Sequence, residues 1–411
     1  MCPSNYFSKM DFKFRRTSVR ILVLCVIYTT GILHLIRYFK GWSRIQKSRH
    51  DDISKADNQN RVAEAKSVLS DINTLYKKEN RTGMNKFSEN NESACLLSIS
   101  IITLSRENNL TESEQPHYLL QTVAALIKLI NRLDQNYFEI YLSICNVDLN
   151  PKTYVDMNYI PEWITIFQRD KEKRESFKNR YEKEREDYVF CMKKVLEHNP
   201  SFLLILEDDA LPHQDLFNVM KKELFENDQC ELKKDKFKDL FYVKLHTNSW
   251  DLNFVRLWRW TKFLFFTGFD LGKVFELMII SLFLDVLIIV LLKKYSKLRL
   301  LYHMFFILFI YVAWILNIIG RQNISIVRRY ILGITHEMSD ATGGSLVATF
   351  YPRASAEATV QYLNSVECDK SYPKDVALNR LARKHWQQLL LIEPPLFTHI
   401  GYHSTKNHAT Y

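Results

Sequence analysis

The stretch SFLLILEDDA, Ser201 to Ala210, decides how this chain is read. Phe202, Leu203, Leu204, Ile205 and Leu206 form an unbroken apolar run that stops abruptly at Glu207, Asp208 and Asp209. A short run that is apolar at every position describes a strand buried on both faces, as in a parallel sheet covered by helices. Three consecutive acids at its carboxyl end repel one another and are costly to desolvate unless a cation is near. Hard oxygen donors of this kind suit Mg2+ or Mn2+. The plain alternative is a strand ending in a solvated acidic turn, and the triplet alone does not separate the two.

Working outward, LLSISIITLS (96–105), FEIYLSICNVD (138–148), WITIFQ (163–168), FYVKLH (241–246) and SLVATFYP (345–352) read as further strands. HYLLQTVAALIKLINRL (117–133), the charged segment 171–199, residues 373–391 and the segment before them read as helices. Strands alternating with helices imply an α/β fold with a mostly parallel sheet flanked by helices. In such sheets ligands bind at the carboxyl ends of the strands, where the acid triplet sits. Residues 40–91 are polar, with Val62, Ala65, Val68, Leu69, Ile72 and Leu75 at helical spacing, which describes a partly helical stem or a linker.

Composition excludes several classes. The 411 residues carry 56 Lys and Arg against 46 Asp and Glu, a net charge of +10, with 47% hydrophobic residues and 20 Gly and Pro together. A disordered or collagen-like chain is excluded. Seven cysteines exclude a disulfide-dense miniprotein. A mean hydropathy of −0.20 excludes a chain embedded in membrane throughout. The basic residues concentrate near apolar runs and in 171–194, where acids alternate with them, so no nucleic-acid partner is expected. No Walker loop, zincin helix or Ser/His/Asp constellation is present.

Three apolar runs are long enough to span a bilayer of ~30 Å. They are Val19–Ile36, Val274–Leu292 and Leu300–Ile319. The first follows Lys13, Arg15 and Arg16 and lacks a small-residue cleavage site, so it reads as an uncleaved signal anchor. The linker between the other two holds Lys293, Lys294, Lys297 and Arg299, which marks it as cytoplasmic under the positive-inside rule. The N-terminus is then cytoplasmic and the segments around the hairpin lumenal. The glycosylation sequons at Asn80, Asn91, Asn109 and Asn323 all fall on that lumenal side. So do Cys95, Cys145, Cys191, Cys230 and Cys368, which would allow one or two disulfides in an oxidising compartment. Asp285, within the second run, would be protonated or paired inside the bundle, with His303 or Asn317 as partners.

Two more residues carry chemistry. Asp375 opens the helical pattern YPKDVALNRLA (372–382) and suits both an N-cap and a general base for a hydroxyl. His399, in LFTHIGYHS, would complete a metal site with Asp209, 190 positions earlier (399 − 209), or would be an ordinary structural histidine. Gly343 and Gly344 permit a close backbone approach or an ordinary turn.

In order, ISIITLSR, HYLLQTVAALI, KEREDYVFCMKKVLEHNPSFLLILEDDALP, GGSLVATFYP, YPKDVALNR and PPLFTHIGYHS resemble the GT-A glycosyltransferases of the N-acetylglucosaminyltransferase IV group, across about residues 95–411. A membrane hairpin inside the catalytic domain is similar to one branch of that group, the Golgi transferases that add N-acetylgalactosamine (GalNAc) to GPI anchors. The resemblance implies a cytoplasmic tail (1–18), a signal anchor (19–38), a lumenal stem (39–94), and a catalytic domain in two parts (95–260 and 321–411). A membrane hairpin (261–320) with its cytoplasmic loop (293–299) would interrupt that domain. It implies a Golgi multi-pass membrane enzyme with UDP-GalNAc as donor, Mn2+ or Mg2+ as cofactor, and the glycan of GPI-anchored proteins or GPI glycolipid as acceptor at the lipid surface. It further implies Asp375 as catalytic base, Asp209 and His399 as metal ligands, and Glu207 and Asp208 at the nucleotide sugar. Thr103, Arg106, Lys183 and Arg185 would contact nucleotide or phosphate. The first acid is Glu, where the common form of the motif has Asp. An N-glycan N-acetylglucosaminyltransferase and a non-catalytic membrane lectin or scaffold are the alternatives.

Overall fold

The computed structural model describes residues 57–75, 95–105, 115–133, 137–148, 154–169, 177–226, 230–233, 237, 239–246, 329–341, 344–385 and 387–401, with residues 278–284, 286, 290, 309, 310, 312 and 313. The chain divides into two compact units, Met1–Glu64 and Ala65–Tyr411. Of the first, residues 57–64 are described, and all are helical. They open a helix, α1, that covers 57–75. Within the second unit Ala65, Leu69 and Ile72 of α1 belong to the main core, so that part of the expected stem is packed rather than free.

Among the described residues of the second unit, ten strands and five helices concern the fold of the sheet. They are β1 (Cys95–Thr103), α2 (Tyr118–Ile130), β2 (Phe138–Asn146), β3 (Thr165–Gln168), α3 (Arg180–Leu196), β4 (Phe202–Glu207) and β5 (Ala210–Pro212). Then follow α4 (Leu216–Leu224), β6 (Leu240–Lys244), β7 (Glu337–Asp340), β8 (Ala348–Pro352), α5 (Arg353–Ser365), α6 (Lys374–Lys384), β9 (Gln388–Glu393) and β10 (Phe397–His399). Eight strands form one sheet in the order β3-β2-β1-β4-β8-β6-β9-β7, and β10 pairs with β5 in a separate ribbon. β3, β2, β1 and β4 are mutually parallel. β8 runs antiparallel to β4 and β6, and β7 antiparallel to β9, so six strands point one way and two the other.

The apolar run that opened the reading is β4, at the centre. Its side chains alternate between two cores. Phe202, Leu204 and Leu206 join one cluster with α1, α2 and α4. Leu203 and Ile205 join the other with α3, α5 and α6. Each such buried side chain contributes about 1.5–3 kcal/mol over leaving it exposed. Helices therefore cover both faces, and every residue of the run must be apolar.

Element bounds differ from expectation in two places. The helix expected over 373–391 stops at Lys384, and Gln388–Glu393 is strand β9. Pairing with β6 and β7 overrides the helical pattern there. The charged helix expected from 171 begins at Arg180, where the Asn179 side chain accepts from the Tyr181 and Glu182 amides at 2.8 and 3.0 Å. That cap satisfies donors a helix start leaves open.

Two disulfides join Cys95 to Cys230 and Cys145 to Cys191, and Cys368 is a buried free thiol. The second ties the end of β2 to α3. Among the described residues no helix is long and apolar enough to cross a membrane. The run 19–36 lies outside the described residues, as do Asp285 and most of 274–292 and 300–319.

Candidate active site

The site forms where β4 ends. Glu207 closes β4, and Asp208 and Asp209 form the turn that leads into β5. Asp208 is buried, and its Oδ2 accepts from Thr103 Oγ1 at 2.9 Å. Its carbonyl accepts from Thr122 Oγ1 at 2.7 Å. β1 lies beside β4 in parallel register, with Ile102 opposite Glu207, so Thr103 arrives next to Asp208 by the sheet's own geometry. Thr103 Oγ1 is also 2.9 Å from Tyr154 Oη.

His399 reaches the acids through the small ribbon. β5 and β10 pair antiparallel with Ala210 opposite His399, and the Ile400 amide donates to the Asp209 carbonyl at 2.9 Å. His399 Nε2 then lies 3.3 Å from Asp209 Oδ2, with Asp209 almost fully buried and His399 about one-third exposed. Ligand atoms from Glu207, Asp209 and His399 all fall within 4.8 Å of one another. Two carboxylates and an imidazole converging from one side form a donor set that fits Mn2+ or Mg2+. Gly401 closes the group: a Cβ there would overlap Asp209 Oδ2, so the backbone passes the carboxylate only without a side chain.

The surroundings are rigid. Tyr188 and Tyr351 share a hydroxyl contact at 2.9 Å. Burial pushes the Tyr188 phenol far above its ordinary value, and repulsion from Tyr242 and Glu207 adds to that, so it stays protonated beside the acids. Lys244, buried at the end of β6, donates to the Gly344 carbonyl at 2.6 Å, and Gly344 has a φ of 123°. That φ lies in the region that favours glycine, as in the turn that is the other reading of this position.

Asp375 lies in the first turn of α6, half-buried, and the N-cap is Pro373 rather than Asp375. α6 packs on β9. β9 runs in the direction of β4, and only residues 385–387 separate the two elements. The start of α6 therefore lies toward the carboxyl end of β9, on the edge of the sheet where the triplet also stands, three strands along from β4. The same argument brings the first turns of α3 to that end. There Lys183 Nζ lies 2.7 Å from Asp187 Oδ2 and 3.5 Å from the Val147 carbonyl. Arg185 is engaged elsewhere: it is buried, pairs with Glu182 and Glu186, and donates to the Leu363 carbonyl of α5. Its guanidinium joins α3 to α5. Arg106 and the sequon residues Asn80, Asn91, Asn109 and Asn323 lie outside the described residues.

Sequence reading missed Gly401, Thr122 and Tyr154. Gly401, two positions after His399, was the one with a usable signal. A family model described as GPI-N-acetylgalactosamine transferase PGAP4 matches residues 97–398, from β1 into β10.

Proposed function

Because the chain belongs to the GPI-N-acetylgalactosamine transferase PGAP4 family, and is thereby a glycosyltransferase, we propose that it transfers GalNAc from UDP-GalNAc to a mannose of the GPI-anchor glycan with inversion. The observation that carries this reading is the convergence of Glu207, Asp209 and His399 at the carboxyl end of β4.

Those three residues would hold Mn2+ or Mg2+, and the bound cation would offset the charge that develops on the departing diphosphate. Asp208, braced by Thr103 and Thr122, supports the nucleotide. Lys183 and Arg106 stand for phosphate or nucleotide contact. Asp375 takes the proton of the acceptor hydroxyl while that oxygen bonds to the anomeric carbon. The bond from that carbon to the diphosphate breaks on the opposite side, and UDP leaves as the anion.

The same proposal places the enzyme in the Golgi membrane, with residues 1–18 cytoplasmic, an anchor at 19–38, a hairpin within 261–320, and lumenal catalytic parts at 95–260 and 321–411. The long apolar runs support this, and two disulfides suit an oxidising lumen. A lipid-linked acceptor is confined to the bilayer surface. A catalytic domain fixed there searches in two dimensions, and pre-positioning of this kind lowers the barrier to reaction.

The test uses the full-length protein in detergent with UDP-GalNAc or UDP-GlcNAc, on GPI and N-glycan acceptors. Transfer of GalNAc to GPI alone is expected. Transfer of GlcNAc to N-glycans would overturn the reading in favour of the alternative enzyme. In cells lacking the gene, released GPI glycans should lose a HexNAc side branch by mass. Asp375→Asn should lower turnover by roughly 10²–10⁴ while UDP-sugar binding persists, and near-parental turnover would remove Asp375 from the mechanism.

A further inference from the structure

Just ahead of β7 the chain makes a short, closely defined turn. Residues 329–332 are helical, and Gly333 follows with a φ of 64°. The Ile334 amide donates to the Arg329 carbonyl at 3.0 Å, and the Gly333 amide to the Tyr330 carbonyl at 3.4 Å. Such a pair of bonds around a left-handed glycine is the Schellman form of a helix end.

Arg329 fastens this turn to the sheet. It is buried, and its Nη1 lies 3.3 Å from Glu393 Oε2 and 3.4 Å from Glu337 Oε1. Ser339 Oγ donates to the other Glu393 oxygen at 2.9 Å. Glu393 ends β9 and stands opposite Glu337, which opens β7. Because β9 runs in the direction of β4, the turn is held at the carboxyl end of the sheet, where Glu207, Asp209 and His399 also gather. β9 and β7 are three and four strands along from β4, a distance of about 14–19 Å across the ladder.

The turn presents apolar side chains to the outside. Tyr330, Ile331, Leu332 and Ile334 are 87%, 74%, 60% and 40% exposed. Among the described residues outside the runs 274–292 and 300–319, the other exposed large hydrophobic side chains are Leu75, Ile166 and Val376, each alone in sequence. Single exposed apolar residues are ordinary, whereas a contiguous group marks a surface that meets a partner or a membrane. Arg321 and Arg328 precede the group in sequence, and aromatic and aliphatic residues beside arginine are typical of segments lying at a bilayer interface. Tyr330 follows the last residue of the run 300–319 by 11 positions (330 − 319), a tether of at most about 40 Å when fully extended.

We propose that Tyr330, Ile331, Leu332 and Ile334 seat in the phospholipid interface of the membrane, so that the catalytic end of the sheet is held at a fixed angle to a lipid-linked acceptor. The inference rests on the membrane placement proposed above. A hairpin by itself lets the attached domain tilt about its tether. A further contact on the body of the domain, rigidly joined to β9 through Arg329, removes that freedom.

The experiment places the full-length protein in phosphatidylcholine nanodiscs, with or without bromine on the acyl chains. Tyr330→Trp adds a fluorophore at the turn, and its emission is read as the difference from the parent, which has seven Trp of its own. Brominated lipid should quench the added emission and aqueous iodide should not. Quenching by iodide alone would overturn the proposal. Shielding from both quenchers would show that protein covers the turn, and would overturn it too. Ile331→Gln combined with Leu332→Gln alters two exposed positions and leaves the fold little affected. With GPI lipid in the same nanodiscs, the double variant should transfer GalNAc roughly tenfold more slowly. Transfer to the same glycan released from its lipid by a phospholipase should stay within about twofold of the parent. An equal fall on both acceptors, or no fall on either, would count against the lipid seat. Failure of the GalNAc-transfer reading would look different: the parent would then transfer to neither acceptor, while the bromine quenching would still report where the turn lies.

Discussion

A methyl group at position 401 would overlap Asp209 Oδ2 and approach the His399 ring to 3.2 Å. The backbone there cannot easily recede, because the Ile400 amide is bonded to the Asp209 carbonyl. Gly401→Ala is therefore expected to cut metal-dependent transfer at least tenfold, about 1.4 kcal/mol of barrier, with the melting temperature little changed. Titrating Mn2+ against activity checks it, and an unchanged requirement for the ion would contradict the assignment. Cys368 makes a second prediction at this scale. Burial pushes its thiol up to about 11, so it stays protonated near neutral pH, and iodoacetamide should leave it unlabelled until the fold is opened. The acid triplet and His399 could be read from sequence because chemistry and position coincide: three acids end an apolar strand, and a lone imidazole follows in a resembling motif. Thr122 and Tyr154 could not. One threonine within an apolar helix and one tyrosine in a loop look ordinary until folding brings them to Asp208 and Thr103.

At the scale of elements, the Cys145–Cys191 bond ties the end of β2 to the middle of α3, next to the sheet end that carries the site. Replacing both cysteines with serine should cost about 2–5 kcal/mol, read as a lower denaturation midpoint. The N-cap of α3 is worth less: Asn179→Ala should cost about 1 kcal/mol, measured in the same way. The order of elements was legible because β1, β2 and β4 are apolar and β-branched while α2 shows three-to-four spacing. β9 was not. Its run QLLLIE follows α6 without a strong breaker, and a short buried run has no periodicity that separates strand from helix. β5 and β10 have three residues each, too few for any pattern. The reversed direction of β8 and β7 comes from connections, which leave no local trace in the sequence.

For the whole molecule, pH acts through half-buried imidazoles. Burial lowers the pKa of His198 below its ordinary 6.5, and Tyr141 Oη lies 3.0 Å from its Nε2. Burial and then repulsion from His213 do the same for His336. Both groups stay neutral in the fold but take protons in the unfolded chain below about 6.5. Their stabilisation is complete above that pH and is lost as pH falls toward the folded values. The melting temperature should drop between about pH 7 and pH 5, and less steeply in His198→Gln. A flat profile would show that neither ring is held neutral. Finally, His399 is joined to Asp209 across 190 positions of sequence. A ribosome adding ~5–20 residues per second needs about 10–40 s to travel that far. Throughout that interval the nascent polypeptide carries the acids of the strand end without the imidazole that packs on them, so the cluster assembles only after translation has passed every intervening segment.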